Sequence, residues 1–178
     1  ATVPVGATTG PISVTTTNGA FTNVNNFYLP PNITSFTPTN SAPGAAVKIT
    51  GVNFTDASGV SFNGKTAGFT VTNNTTIGAI VPNGVVTGPI SVSTPAGTTN
   101  SSGLFYGLPG ITGFSPSHGL PGTNVVITGT NFLGATQVKF GTNTASFTVT
   151  NNTTIGVLDP SGAKTGPITV VAPGGTNT

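Results

Sequence analysis

Cysteine, methionine and tryptophan are absent from this chain of 178 residues, and so are arginine and glutamate. Secreted domains of this size often carry disulfides, so a fold without cysteine depends on its apolar core alone. The absence of cysteine and methionine also leaves no easily oxidised side chain. No apolar run approaches the ~20 residues of a membrane-spanning helix, so we expect no membrane insertion in this segment.

Charge is scarce as well. A nucleic-acid binder needs many cations to release counterions, and arginine to read bases, so we expect no nucleic-acid partner. The low charge also removes the usual electrostatic barrier to association. The charged residues are Lys48, Lys65, Lys139, Lys164, Asp56 and Asp159.

What the chain has instead is a repeat. The run 72–78 returns unchanged as 150–156, a period of 78 residues (150 − 72). That period suits a small β-sandwich and is too long for an ordinary solenoid repeat. The predicted domains are the C-terminal part of a repeat at 1–30, a complete repeat at 31–108, and a repeat lacking its last strand at 109–178.

Alternation of apolar and polar residues predicts strands throughout the complete repeat, and turn signals such as Asn63-Gly64 separate them. About seven short strands are expected, so the fold class is all-β, with tandem immunoglobulin-like sandwiches. Short proline-containing linkers predict an end-to-end arrangement. The residues expected to face inward are Ile33, Phe36, Val47, Ile49, Phe54, Val60, Phe62, Phe69, Val71, Ile77, Ile90 and Val92, with their counterparts 78 residues later.

A motif runs through this pattern. Ile33-x-x-Phe36-x-Pro38 is followed by Pro43-Gly44, by Gly51-x-Asn53-Phe54, and by Gly88-Pro89-Ile90-x-Val92. We expect a bulge or a positive φ at Gly51 and Gly129, and side-chain hydrogen bonds to turn backbone at Asn53 and Asn131.

These motifs resemble the IPT/TIG domain, and the resemblance covers the whole chain. It implies an immunoglobulin-like fold. Such domains occur in bacterial and archaeal surface proteins, in secreted polysaccharide-active enzymes as spacers, in plexin-type receptors and in some transcription factors. Near-identical successive copies without cysteine or arginine favour the tandem surface repeat, and therefore an extracellular or cell-surface location.

No catalytic constellation is present. Asp56 is replaced by Gly134 in the next copy, and Asp159 takes the place of Val81, so neither carboxylate repeats. His118 is the single histidine and is interpreted as a surface-loop residue. Two isolated aspartates do not make a calcium site. We therefore expect no enzyme activity, no catalytic or metal residue and no cofactor.

Two sets of residues remain as candidate sites. Adjacent aromatics in a last strand place one ring in the core and the next on the outer face, where it packs at a domain junction or binds a sugar or another chain. These junction or contact aromatics are Phe21, Phe27, Tyr28, Phe105 and Tyr106. Asn-x-Ser/Thr sequons mark glycosylation sites, but they also arise by chance in a chain rich in Asn and Thr. The candidate glycosylation sites are Asn32, Asn73, Asn74, Asn100, Asn151 and Asn152.

The sequence thus predicts a structural repeat module of an extracellular rod, stalk or fibre, whose partners are neighbouring repeats, other copies in a fibre, and glycans. The alternative is an adhesive or carbohydrate-binding spacer attached to a secreted enzyme or adhesin. The missing last strand has two explanations. Either the sequence is a window on a longer protein, which is the favoured one, or the N-terminal segment of one subunit completes the C-terminal domain of the next.

Overall fold

A computed structural model describes residues 2–178, and all the regular secondary structure in that range is β-strand. This agrees with the all-β prediction. The structure separates into two compact units, the first made of residues up to Pro38, of Gly44–Asn83 and of Pro89–Leu104, and the second of Thr39–Pro43, Gly84–Gly88 and Phe105–Thr178.

The first unit contains a two-stranded sheet, β1-β2, and two four-stranded sheets, β3-β4-β8-β7 and β10-β9-β5-β6. The terminal residues Gly88 and Phe105 of its last two strands belong to the second unit. The strands are β1 (Gly10–Thr16), β2 (Gly19–Phe27), β3 (Asn32–Thr37), β4 (Ala46–Val52), β5 (Gly59–Phe62), β6 (Lys65–Thr66), β7 (Phe69–Asn73), β8 (Thr76–Ile80), β9 (Gly88–Thr94) and β10 (Gly97–Phe105).

The second unit repeats the two four-stranded sheets in the orders β11-β12-β16-β15 and β14-β13-β17-β18. Its β12 pairs with β16 antiparallel and places Ile127 opposite Ile155, as β4 and β8 place Ile49 opposite Ile77. The strands are β11 (Gly110–Ser115), β12 (Asn124–Thr130), β13 (Gln137–Phe140), β14 (Asn143–Ala145), β15 (Phe147–Asn151), β16 (Thr154–Leu158), β17 (Ile168–Ala172) and β18 (Gly175–Asn177).

The complete repeat holds eight strands where about seven were predicted. The additional one is β6, a two-residue strand that forms because the Asn63-Gly64 turn folds Lys65 back against Phe62. The last predicted strand, at 104–106, is the end of a longer strand that begins at Gly97.

Most of the residues predicted to face inward are buried, including Phe54, Phe62, Ile49 and Ile77 at 0% exposure. Phe36, Phe69 and Val71 are only half-buried. The prediction is wrong at Phe114, which is 45% exposed. The backbone of Gly103 lies against the Phe36 ring, and the residue 78 positions after Gly103 falls beyond Thr178, so nothing in the described chain covers Phe114 in the same way.

The glycine that both copies of the motif share is required for a different reason from the one expected. Neither Gly51 nor Gly129 has a positive φ, and the bulge lies on the partner strand, between Ile33 and Ser35. A Cβ at Gly51 would overlap the carbonyl oxygen of Asn32 and the ring of Phe54. Glycine is required because the backbone and an aromatic ring approach this position closely.

Within residues 2–178 no helix has the length and apolar character needed to cross a membrane. No group of three or more histidine, cysteine, aspartate or glutamate side chains in the same range is arranged to hold a metal ion.

Candidate functional site

The most highly organised polar site is built around Asn53, immediately after β4. Asn53 adopts φ 61°, a left-handed conformation that asparagine tolerates better than other residues with a side chain. It is only 7% exposed. Its side-chain oxygen accepts the amide proton of Thr9 at 2.9 Å, and its side-chain nitrogen donates to the Pro30 carbonyl at 3.0 Å. The asparagine thus holds the end of the preceding repeat.

Thr9 completes this arrangement. Its hydroxyl oxygen accepts the Leu29 amide proton at 2.9 Å, so the threonine is bonded to both the asparagine and the linker. The sequence analysis expected Asn53 to satisfy backbone groups of its own turn. The structure instead places its partners 44 and 23 residues earlier in the chain.

The second unit contains the same site one repeat later. Asn131, also at φ 61°, accepts the Thr87 amide proton at 2.7 Å and donates to the carbonyls of Val85 and Leu108 at 3.1 and 2.8 Å. The Thr87 hydroxyl accepts the Gly107 amide proton at 3.1 Å. We call these two sets of residues the Asn–Thr junctions. Each lies inside one compact unit and ties the motif of one repeat to the preceding repeat.

The chemistry of an Asn–Thr junction is structural. An amide side chain, a hydroxyl and backbone groups offer neither a general base nor an activated nucleophile. They do offer directional hydrogen bonds in a buried setting, where removal of a partner costs about 1–3 kcal/mol for each group left unsatisfied. The site is therefore suited to fixing one repeat against the next.

A second contact lies beside the first junction. The Tyr28 hydroxyl donates to the Asp56 carboxylate at 2.6 Å, and the Asn26 side-chain nitrogen donates to the same oxygen at 3.3 Å. The hydrogen bond to Asp56 raises the pKa of Tyr28 above its ordinary value of 10.0, and partial desolvation and the negative charge of Asp56 act in the same direction. In the second unit Gly134 stands at this position, so the Tyr106 ring has no carboxylate there.

The aromatics singled out from the sequence occupy different environments. Phe105 is fully buried and Tyr106 is half-buried, in accord with alternation along a strand. On β2, however, Phe21 and Phe27 are 73% and 44% exposed. Tyr28 is half-buried and bonded to Asp56.

The candidate glycosylation sites are spread over both units. Asn32, Asn73, Asn100 and Asn151 are exposed, whereas Asn74 and Asn152 are half-buried. The Asn73 side-chain oxygen accepts from both the amide and the hydroxyl of Thr75 at 2.9 Å, and Asn151 accepts from Thr153 in the same way at 2.8 Å. The Asn100 side chain accepts from Ser91 at 2.6 Å.

His118 and Asp159 both line a groove in the second unit, with a volume of about 350 Å³. His118 is exposed and its ring nitrogen is 3.4 Å from the Ser117 hydroxyl. One carboxylate oxygen of Asp159 is buried without a hydrogen-bond partner among the described residues. The sequence analysis did not assign these two residues to one groove, because they are 41 positions apart (159 − 118).

Comparison with protein families matches the IPT/TIG domain at residues 31–106 and 109–178. A solved structure from Bacteroides uniformis, SGBP-B from a complex xyloglucan utilization locus, is 23% identical, with a TM-score of 0.39 over 83% of this chain and 48% of that one. A surface glycan-binding protein from Prevotella bryantii is 20% identical, with a TM-score of 0.44 over 83% of this chain and 41% of that one.

The extracellular region of plexin A4 is also similar, at 23% identity and a TM-score of 0.39 over 83% of this chain and 17% of that one. This chain spans less than half the length of each of these solved proteins. The comparison with curated proteins gave no match.

Proposed function

Because this chain belongs to the IPT/TIG domain family, we propose that it serves as a non-enzymatic structural module of an extracellular or cell-surface rod, stalk or fibre. Its partners are neighbouring repeats of the same protein and other copies in a fibre. The domain division that goes with this role is 1–30, 31–108 and 109–178. The function is mechanical: repetition provides the span, and the junctions limit bending.

The observation that carries this proposal is the recurrence of the Asn–Thr junction, in which the asparagine accepts a threonine amide proton and donates to a linker carbonyl. Thr9 and Asn53 are 44 residues apart, as are Thr87 and Asn131. A flexible tether between independent domains needs no buried, hydrogen-bonded contact at each step. A rigid array does, because each repeat has to be oriented by its neighbour.

Small-angle X-ray scattering on tandem arrays of two, four and six repeats tests the proposal. We expect the maximum dimension to increase by a constant length per added repeat. Replacement of the junction asparagine by alanine in every repeat should shorten the average dimension, whereas replacement of the exposed Thr148 and its counterpart Thr70 by alanine should not. A dimension that does not grow with the number of repeats would contradict the rod.

An adhesive or carbohydrate-binding spacer is the alternative function. It rests on Phe21, an aromatic residue of β2 that stands where the complete repeat has Thr99. An aromatic ring on a strand can stack against a sugar. Binding of the chain to a panel of plant and bacterial polysaccharides, lost on Phe21→Ala, would favour this alternative over the purely mechanical role.

Glycans are also proposed as covalent partners. Asn73 and Asn151 are exposed at equivalent turns, which gives a modifying enzyme access to both. Mass spectrometry of the native material tests this. Hexose-containing peptides that include these residues would support it, and fully unmodified peptides from both turns would contradict it.

A further inference from the structure

The edge strand β7 offers unpaired backbone groups to a neighbouring molecule. It is the last strand in the order β3-β4-β8-β7, and within residues 2–178 no strand pairs with its other side. Its counterpart β15 is the last strand in the order β11-β12-β16-β15 and has the same sequence, Phe-Thr-Val-Thr-Asn. We call β7 and β15 the FTVTN edges. Each lies in the interior of the sequence, between other strands of its own repeat.

The pairing of β7 with β8 decides which backbone groups face outward. The Gly68 carbonyl accepts the Ile80 amide proton at 2.8 Å, so these two residues form a hydrogen-bonded pair. Hydrogen-bonded pairs alternate along an antiparallel ladder, and Thr70 therefore belongs to the next one. The amide and carbonyl groups of Phe69 and Val71 consequently point away from β8, toward the free side of the edge.

The same two residues carry apolar side chains that the fold covers only in part. Phe69 and Val71 are half-buried, and so are Phe147 and Val149, which pack at the margin of the second core. An additional strand against the edge would cover more of this apolar surface and would pair the free backbone groups at the same time.

The FTVTN edges lack the features that usually protect an edge strand, which are charge, proline or a very short length. By contrast β6, an edge strand of the other sheet, has two residues, one of them the exposed Lys65. Each FTVTN edge has five residues, with neither charge nor proline. A bulge lies between Val71 and Asn73, so an added strand would pair regularly over residues 69–71. The edge is therefore suited to a short, reversible contact.

We propose that the FTVTN edges of different copies of this chain pair antiparallel with one another and so join copies into a fibre. The strand is complementary to itself. When Thr70 lies opposite Thr70 of a second copy, Phe69 of each copy lies opposite Val71 of the other. These two flanking pairs use the outward-facing backbone groups and place an aromatic ring beside a β-branched side chain. The interaction rests on the proposed fibre role and specifies how copies join.

The absence of charge favours a second copy as the occupant. In a self-paired strand the central residue meets its own counterpart, so a charged residue there would repel itself, and threonine does not. A charged segment of another protein would find no opposite charge on this edge. Because each chain carries the edge twice, on β7 and on β15, pairing can continue from chain to chain beyond a dimer.

Sedimentation velocity on the full chain, produced without glycosylation, tests the proposal over a range of concentrations. We expect association that increases with concentration and passes beyond the dimer. Thr70→Lys combined with Thr148→Lys should weaken it at least about tenfold, because two lysines would face each other at every contact. Both positions are exposed. The matched control is Ala46→Lys with Asn124→Lys, at exposed positions on the inner strands β4 and β12, and it should associate as the unmodified chain does.

A charge-swapped pair tests the register and the identity of the partner. Thr70→Glu combined with Thr148→Glu should also remain monomeric by itself. An equimolar mixture of this variant with the double-lysine variant should associate, because glutamate then faces lysine at the central position. A mixture that stays monomeric would contradict the register in which Thr70 meets Thr70.

Hydrogen exchange followed by NMR locates the contact. The amides of Phe69 and Val71 should become protected as the concentration rises, whereas the Thr70 amide, which already faces β8, should change little. A chain that stays monomeric at millimolar concentration would overturn the proposal, as would association that the double-lysine variant retains in full. Neither result would affect the rod, which is tested separately by scattering from covalently joined repeats.

Discussion

The side-chain oxygen of Asn131 lies 2.7 Å from the amide nitrogen of Thr87, and both residues are at most 5% exposed. This one relationship links the end of one repeat to the motif of the next. Asn53 and Thr9 reproduce it at 2.9 Å in the first unit. Several measurable properties depend on it and on the contacts around it.

Replacement of Asn131 by alanine should lower the free energy of unfolding by about 2–4 kcal/mol, because the Thr87 amide and two carbonyls lose their partner. Asn131→Gly should cost about 1 kcal/mol less, since glycine relieves the left-handed backbone at φ 61° without restoring the hydrogen bonds. Urea unfolding measures both. Asn124→Ala, at an exposed position, is the control, and an equal loss there would refute a specific role for the junction.

Gly129→Ala should destabilise the second unit by about 3 kcal/mol, because the added methyl group overlaps the Gly110 carbonyl and the Phe132 ring. The matched control is Gly156→Ala on β16, where a Cβ meets no atom within 4 Å and φ is not positive. That substitution should change stability by no more than about 0.5 kcal/mol. Thermal unfolding followed by circular dichroism distinguishes the two. Similar melting temperatures would show that close packing is not the reason for this glycine.

The Tyr28–Asp56 contact should be sensitive to alkaline pH. Because the folded state raises the pKa of Tyr28, its contribution to stability is fully present below the ordinary value of 10.0 and is lost as pH rises through the raised value. Ultraviolet titration of tyrosinate should show a lower midpoint for Tyr28 in Asp56→Gly, the residue found at position 134, than in the unmodified chain. An unchanged midpoint would show that the hydrogen bond is not the cause.

Phe132→Ala should cost about 3–5 kcal/mol, since the ring is fully buried in the core of the second unit. Its neighbour Leu133 is 38% exposed, and truncation there should cost much less. Denaturant midpoints of the two variants make the comparison. A larger effect at Leu133 would mean that this core is organised differently from the one described.

The sequence was sufficient for the fold class because alternation and turn residues act locally. Val47 and Ile49 alternate with polar residues, and Asn63-Gly64 forms the expected hairpin. Partners distant in sequence were not predictable in the same way. Nothing in the Gly51-x-Asn53-Phe54 motif identifies Thr9 as the group that Asn53 binds.

The burial of individual side chains was also not predictable from the sequence. Phe36 and Phe114 have the same position in the repeat, so periodicity assigns them the same environment. Their exposure differs because it depends on whether another strand lies over the ring. Gly51 was predicted to need an unusual backbone angle, whereas the requirement comes from the Phe54 ring packed against it. Both effects arise from tertiary contacts and leave no mark on the local pattern.

The 44-residue separation within each Asn–Thr junction has a consequence for synthesis on the ribosome. At elongation rates of about 5–20 residues per second, the ribosome adds Asn53 roughly 2–9 s after Thr9. During that interval its amide is hydrogen-bonded to water, and the end of its repeat stays free to rearrange. In a nascent array, each junction therefore forms only after the motif of the next repeat has been synthesised. The end of each repeat is fixed one repeat later than it is translated.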